Sequence, residues 1–257
     1  MTKPTVSYGR RPKLKLTELA VRNVAPTFGK VRHLTYSTKC RGELVVESDA
    51  ERFVSHMVTL DPRAKRFWTQ PFTVDLIDRR ILRSPVEVAE ARKKHSKRIG
   101  PKFYTPDFGV EWIGLTRSAK EVKLEGFEGD EEYQTRLRLG ASIIEAHGYR
   151  FSMVVFPRNQ RHPFYSSLVL LKQAASRPEL WPDEQLAQRI TEVCSQQSVT
   201  LKDLCTRLNV SPSLVPAMLV SGCVSANLAT QHLCGTMQLS AAFGDLSHLH
   251  LLEGLSV

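Results

Sequence analysis

Long apolar runs are missing from this 257-residue chain, which argues against a membrane-spanning helix. Its first residues lack the apolar stretch of a signal peptide, so no secretory leader is expected. Paired cysteines are missing too. The five present, Cys40, Cys194, Cys205, Cys223 and Cys234, form no CxxC pair and are odd in number. That argues against a disulfide framework and fits thiols in a reducing cytoplasm. No Cys/His spacing suggests zinc. Acids are nearly missing from one end: Glu18 alone faces Lys3, Arg10, Arg11, Lys13, Lys15 and further cations up to Arg41. With a net charge of +10 over the chain, a polyanionic partner is favoured.

What is present divides into three parts. Residues 1–41 form a basic arm interrupted by Pro4, Pro12 and Pro26, expected to have little structure of its own. It reads as a contact for DNA phosphates or as a solvated tail. Residues 42–163 carry an α/β pattern. Glu43 to Val46 is extended. Ser48 and Glu51 have capping-box spacing, and Phe53, Met57 and Leu60 place one apolar face on a helix ended by Asp61-Pro62. Lys65 to Ile77 is β-rich but broken at Gln70-Pro71, which predicts an edge or bent strand. Arg79 to Lys102 looks like an insertion, with a helix over Glu87 to Arg98 ending in a basic run. That run is either a solvated face or a DNA-backbone contact. Helical period runs from Tyr133 to His147, closed by Gly148, and Phe151 to Phe156 reads as a buried strand.

Residues 164–257 are predicted as an all-α or winged-helix domain. Helices are expected over Phe164 to Ala175, Glu184 to Cys194, Leu201 to Leu208 with Thr200 as N-cap, and Ser213 to Leu219. The last two have helix-turn-helix cadence. Yet Ser211 to Gly222 carries no Lys or Arg, and a major-groove reader without cations lacks its main affinity term. Docking of a protein partner is the favoured reading of this part.

The chemistry concentrates between Tyr104 and Lys123. Asp107 follows a proline and opens the apolar run from Phe108 to Ile113, and Glu121-Val122-Lys123 lies in a second extended segment. Two strands joined by a loop bring Asp107 near Glu121 and Lys123. Residues i and i+2 share a strand face, so Glu121 and Lys123 look one way and Val122 faces the core. Taken singly, Asp107 reads equally as a turn residue, and Glu121 and Lys123 as a solvated strand face. Together they resemble the PD-(D/E)XK nucleases of restriction-endonuclease-like fold. With Glu47-Ser48-Asp49-Ala50-Glu51, Leu60-Asp61-Pro62 and Gln70-Pro71 upstream, the pattern over about residues 42–157 resembles the TnsA family, the endonuclease subunit of Tn-seven-like heteromeric transposases.

That resemblance implies Mg²⁺, with Mn²⁺ able to replace it. Asp107 and Glu121 would be ligands, the Val122 carbonyl a further one, and Lys123 would act on the attacking water or the phosphorane charge. It places the helix carboxylate at Glu51, with Glu47 as the other choice and the capping box as the structural alternative. Gln70 reads as a residue near the metal or as a strand-edge amide. The implied activity is cleavage of the 5′ strands at transposon ends during cut-and-paste transposition. The implied partners are double-stranded DNA, a TnsB-like transposase and a TnsC-like AAA+ regulator, in a bacterial cytoplasm at the nucleoid. The rivals are a free-standing restriction-like or junction-resolving nuclease, and a catalytically silent DNA-binding assembly subunit.

Overall fold

The computed structural model describes residues 33–40, 43–127 and 129–256. Most of the expected basic arm, residues 1–32, lies outside the described residues. Its end does not fit the expectation of little structure: β1 (His33–Tyr36) pairs antiparallel with β2 (Glu43–Val46). Leu44 and Val46 alternate into the core and hold this hairpin to it.

Helix α1 (Asp49–Leu60) starts where predicted. The Ser48 hydroxyl accepts from the Glu51 N–H at 3.2 Å, satisfying one of the free donors of the first turn. Phe53, Met57 and Leu60 are buried, and Asp61 turns the chain out of the helix with ψ 113°. Next comes β3 (Ala64–Thr69), the edge of a four-stranded sheet in the order β3-β7-β8-β9. Gln70, at φ +47°, supplies the expected break, and Pro71 follows. The chain then enters a second, three-stranded sheet made of β4 (Thr73–Asp75), β5 (Arg80–Leu82) and β6 (Phe103–Tyr104).

Between β5 and β6 lies α2 (Pro85–Lys94), shorter than the predicted 87–98. Ser84 and Glu87 form a full capping box at its start, and His95 caps its end. The His95 side chain is buried against Asp75, so burial of this side chain stops the helix before the basic run is finished.

The main sheet is completed by β7 (Phe108–Trp112), β8 (Arg117–Leu124) and β9 (Arg150–Phe156). β7 and β8 form an antiparallel hairpin; β9 runs parallel to β8. A parallel neighbour needs a crossover, and α3 (Glu131–Ala146) provides it. Gly148 stands at φ +81° just past that helix, as predicted for a left-handed closing residue. β9 is less buried than expected: only Val154 and Phe156 are fully covered, while Phe151 and Met153 are half-buried beside α3.

Helices α1 and α4 (Pro163–Ala175) cover one face of this sheet, and α3 covers the other. Phe53 stacks on Phe156 with ring centroids 5.2 Å apart. Each fully buried aromatic or aliphatic side chain is worth about 1.5–3 kcal/mol against exposure, so this contact ties α1 firmly to the sheet.

The remainder runs through α5 (Glu184–Ser195), β10 (Val199–Thr200), α6 (Leu201–Leu208), α7 (Val215–Val220), β11 (Val224–Ser225) and β12 (Gln238–Ala241). The strands form an antiparallel sheet in the order β10-β12-β11. Thr200 caps α6 as expected. The predicted helix over 213–219 is displaced: Pro212–Leu214 makes a tight 3-10 turn, and α7 begins at Val215 with Pro216 in its first turn. That proline has no N–H to donate, which is tolerated only at a helix start. One hydrophobic cluster runs from Phe53 and Phe156 through Leu168 to Ile190, Leu204, Met218 and Leu239. Residues 164–256 therefore share a core with the sheet. The chain's last turn also returns to it: the Val155 N–H donates to the Leu255 carbonyl. The architecture is mixed α/β. Among the described residues no helix is long and apolar enough to cross a membrane.

Candidate active site

Asp107 stands at the start of β7, where the Gln70 N–H donates to its carbonyl at 2.8 Å. Its side chain reaches across the hairpin and accepts from the Val122 N–H at 2.8 Å. In β8 the alternation is as predicted. Val122 packs into the core on the α1 face, while Glu121 and Lys123 share the other face with Lys123 Nζ 3.0 Å from Glu121 Oε1. Of Val122, it is the N–H that meets Asp107.

Glu121 is almost fully buried and held from two further elements. Tyr104 in β6 donates its hydroxyl to Oε2 at 2.7 Å, and Tyr133 in the first turn of α3 donates to Oε1. The Tyr133 ring also lies 4.4 Å from Lys123 Nζ, within range of a cation–π contact. Room for Tyr104 comes from Gly140 in α3, where a Cβ would meet the tyrosine ring at 2.5 Å. A glycine costs about 1 kcal/mol against alanine inside a helix, and here it opens the seat for this ring.

Glu51 serves in both ways the sequence left open. Its Oε1 accepts from the Ser48 hydroxyl at 2.7 Å and its Oε2 from the Glu47 N–H at 3.0 Å, so it does close the helix start. It also lies in the field of the other carboxylates. Burial raises the Glu51 pKa, and the charges of Glu47 and Glu121 raise it further, against hydrogen bonds from Glu47 and Ser48. Asp107 is held well above the usual carboxylate range, by burial first and then by Glu121 and Glu51; the Val122 hydrogen bond and Lys123 oppose this. Three carboxylates from α1, β7 and β8 thus repel one another around one point.

Glu47 and Gln70 sit at the rim. The Gln70 amide donates to Glu47 Oε1 at 3.1 Å, and its own Oε1 is buried without a partner among the described residues. All the predicted site residues are therefore brought to one region. In this arrangement the ligand atoms of Asp107, Glu121 and Glu51 do not all lie within 4.8 Å of one another. Among the described residues one other group does, Asp75, Asp78 and His95. His95 Nε2 is 3.1 Å from Asp75 Oδ2 and 3.4 Å from Asp78 Oδ2, with Arg80 and Lys94 also pairing with this acid pair. Cations already surround that cluster, which joins the β4–β5 hairpin to α2. Among the described residues, Lys123 is the one cation acting on Asp107. The all-oxygen donor set and mutual repulsion of the three carboxylates there fit a hard divalent cation.

Sequence reasoning missed Tyr104 and Tyr133. Both reach Glu121 from separate elements, and no spacing rule links them to it. The Asp75, Asp78 and His95 group was also missed, since it depends on a hairpin and a helix end meeting. The chain matches no protein-family model and no curated protein.

Proposed function

We propose that the protein is a Mg²⁺-dependent DNA endonuclease of restriction-endonuclease-like fold, a TnsA-like subunit that cleaves the 5′ strands at transposon ends. The observation that carries this reading is the convergence of Asp107, Glu121 and Glu51 beside Lys123, on a hairpin flanked by α1 and α3. A charge cluster of this kind is costly to bury for stability alone. Asp107, Glu121 and Glu51 would hold the metal, with Mn²⁺ as a substitute. When bound, the metal supplies an activated water and offsets charge on the phosphate. Lys123 is placed by Glu121 and the Tyr133 ring to orient that water or to hold a proton near the scissile phosphate. Tyr104 and Tyr133 keep the Glu121 carboxylate in one orientation.

Exposed Arg92 and Lys93 in the last turn of α2, with Lys97 and Arg98 just beyond it, would supply sequence-independent contacts to the DNA backbone. The order α5-β10-α6-α7-β11-β12 supports a winged-helix-like reading of the C-terminal part. Helix α7, in the recognition position of the helix-turn-helix, is unsuited to a DNA groove. Val215 and Ala217 to Val220 are buried, and α7 packs against α4. This favours a docking role toward a TnsB-like transposase or TnsC-like regulator, which would choose the cut site.

Strand-specific cleavage of a donor DNA carrying the element's ends tests the reading. The expected result is 5′-strand cutting only with the transposase partner and Mg²⁺, abolished by Asp107→Asn. Autonomous cutting at defined sites would make it a free-standing nuclease. Complete transposition unaffected by Asp107→Asn would make it a silent assembly subunit.

A further inference from the structure

The C-terminal part leaves an apolar groove of about 980 Å³ uncovered. One wall is α4, which presents Leu170 and Ala174 four residues apart and so on one side. Leu180 follows in the turn beyond that helix. Leu170 is 44% exposed and Leu180 51%. The other wall is α6 and the 212–217 segment, with Cys205 and Val215 buried at its base and Leu214 half-buried above them. Contiguous exposed apolar surface of this kind marks a place where something docks.

Its charged lining has one sign. Arg177 stands just past the end of α4 and Lys202 in the first turn of α6. Both are exposed, and neither has an ion pair among the described residues. No Asp or Glu among the described residues lines the groove. The acids nearest in sequence, Glu179 and Asp203, lie outside it, and Asp203 is turned to the Thr200 hydroxyl at 2.7 Å. Acidic groups on an occupant would therefore meet cations with no competing carboxylate in the lining. The form of the occupant follows from the walls. None of β10, β11 and β12 lines the groove, so no strand edge is offered to an incoming chain. A segment entering here has to satisfy its own backbone hydrogen bonds, and a helix does so.

We propose that this groove takes an acidic amphipathic helix of a protein partner, with its apolar side chains between α4 and α6 and its carboxylates toward Arg177 and Lys202. The proposal rests on the docking role given above to the C-terminal part and names the chemistry of what docks. It does not depend on the carboxylate centre at Asp107.

Fluorescence anisotropy on the full chain in metal-free buffer tests it. The probe is a labelled helical peptide of about 16 residues with leucines at i, i+3, i+4 and i+7 on one face and glutamates on the other. It is expected to bind at least about tenfold more tightly than the same peptide with lysine in place of glutamate. Leu180→Asp should weaken binding about tenfold or more, and Lys202→Glu about three- to tenfold. Both positions are exposed, and an acid in the first turn of α6 suits the helix dipole, so both variants should melt with wild type. Cys234, an exposed thiol at the groove's rim, reports where the peptide sits: iodoacetamide should alkylate it more slowly when the peptide is bound.

Absence of binding by the glutamate peptide would overturn the proposal. So would equal binding of the two peptides, binding unaltered by Leu180→Asp, or unaltered alkylation of Cys234. Self-association of the chain that Leu180→Asp abolishes would give the groove to a second copy instead. If the peptide fails to bind while 5′-strand cutting still requires the transposase partner, the docking role stands and this groove is not its seat.

Discussion

The carboxylate of Asp107 and the backbone N–H of Val122 are joined by a 2.8 Å hydrogen bond that spans the β7–β8 hairpin. The bond fixes an acid from one strand against the middle of a Glu-x-Lys unit on the next. It also means that Asp107 has a structural role beside its proposed catalytic one, and substitutions can separate the two.

Asp107→Asn keeps an oxygen for the Val122 N–H and removes one of three clustered negative charges. The folded protein should be as stable as wild type or more so in chelator, while cleavage falls about a thousandfold or more. Asp107→Ala should also lose cleavage, but it leaves a buried donor unpaired at a cost of about 1–3 kcal/mol. Thermal denaturation with and without EDTA separates them. Equal melting temperatures for the two variants would contradict this role for the bond.

Glu51 both closes a helix start and belongs to the carboxylate cluster. Ser48→Ala should cost about 1 kcal/mol of stability through loss of the N-cap, with cleavage reduced less than by Glu51→Gln. Glu51→Gln retains a side chain able to close the capping box and should lose cleavage while holding most of its stability. Chemical denaturation paired with a cleavage assay reads both. A Glu51→Gln protein with full activity would leave Glu51 a cap alone.

Tyr133→Phe preserves the ring under Lys123 and removes the hydroxyl from Glu121. The Mg²⁺ concentration for half-maximal cleavage should rise about tenfold, in line with a lost hydrogen bond to a charged group. The rate at saturating Mg²⁺ should change less. Tyr104→Phe should behave alike. A fall in rate at every Mg²⁺ concentration, with the same midpoint, would contradict the positioning role.

His56, buried in α1, is predicted to make the fold acid-sensitive. Burial, then the charges of Lys172 and Arg52, depress its pKa from 6.5 to about 3. Between those values the unfolded chain binds a proton that the folded chain refuses. Stability from this group is therefore whole above 6.5 and is lost as pH falls toward 3. The slope is at most about 1.4 kcal/mol per pH unit. Denaturation midpoints measured from pH 7.5 to 4 should show this loss, and His56→Leu should flatten it. An unchanged profile in that variant would place the acid sensitivity elsewhere.

Much of this architecture could be read from local rules. The Ser48 cap, the break at Gln70-Pro71, the closing glycine at Gly148 and the Thr200 cap each depend on a few adjacent residues. The alternation of Glu121, Val122 and Lys123 depends only on strand geometry. What stayed hidden came from distant parts of the chain. The His95 side chain ends α2 early because Asp75 lies opposite it in another element. Tyr104 and Tyr133 reach Glu121 only after β6 and α3 fold over the hairpin. The pairing of His33–Tyr36 with Glu43–Val46 lay within a stretch whose charge suggested a tail. Within the candidate site, the carboxylates were legible and their tyrosine holders were not.

The most direct measurement is Mn²⁺ binding to the metal-free protein by calorimetry, comparing wild type with Asp107→Asn and Asp78→Asn. The account predicts that wild type and Asp78→Asn bind alike and that Asp107→Asn loses the site. Binding that survives Asp107→Asn and disappears in Asp78→Asn would move the metal to the Asp75, Asp78 and His95 cluster and contradict the account.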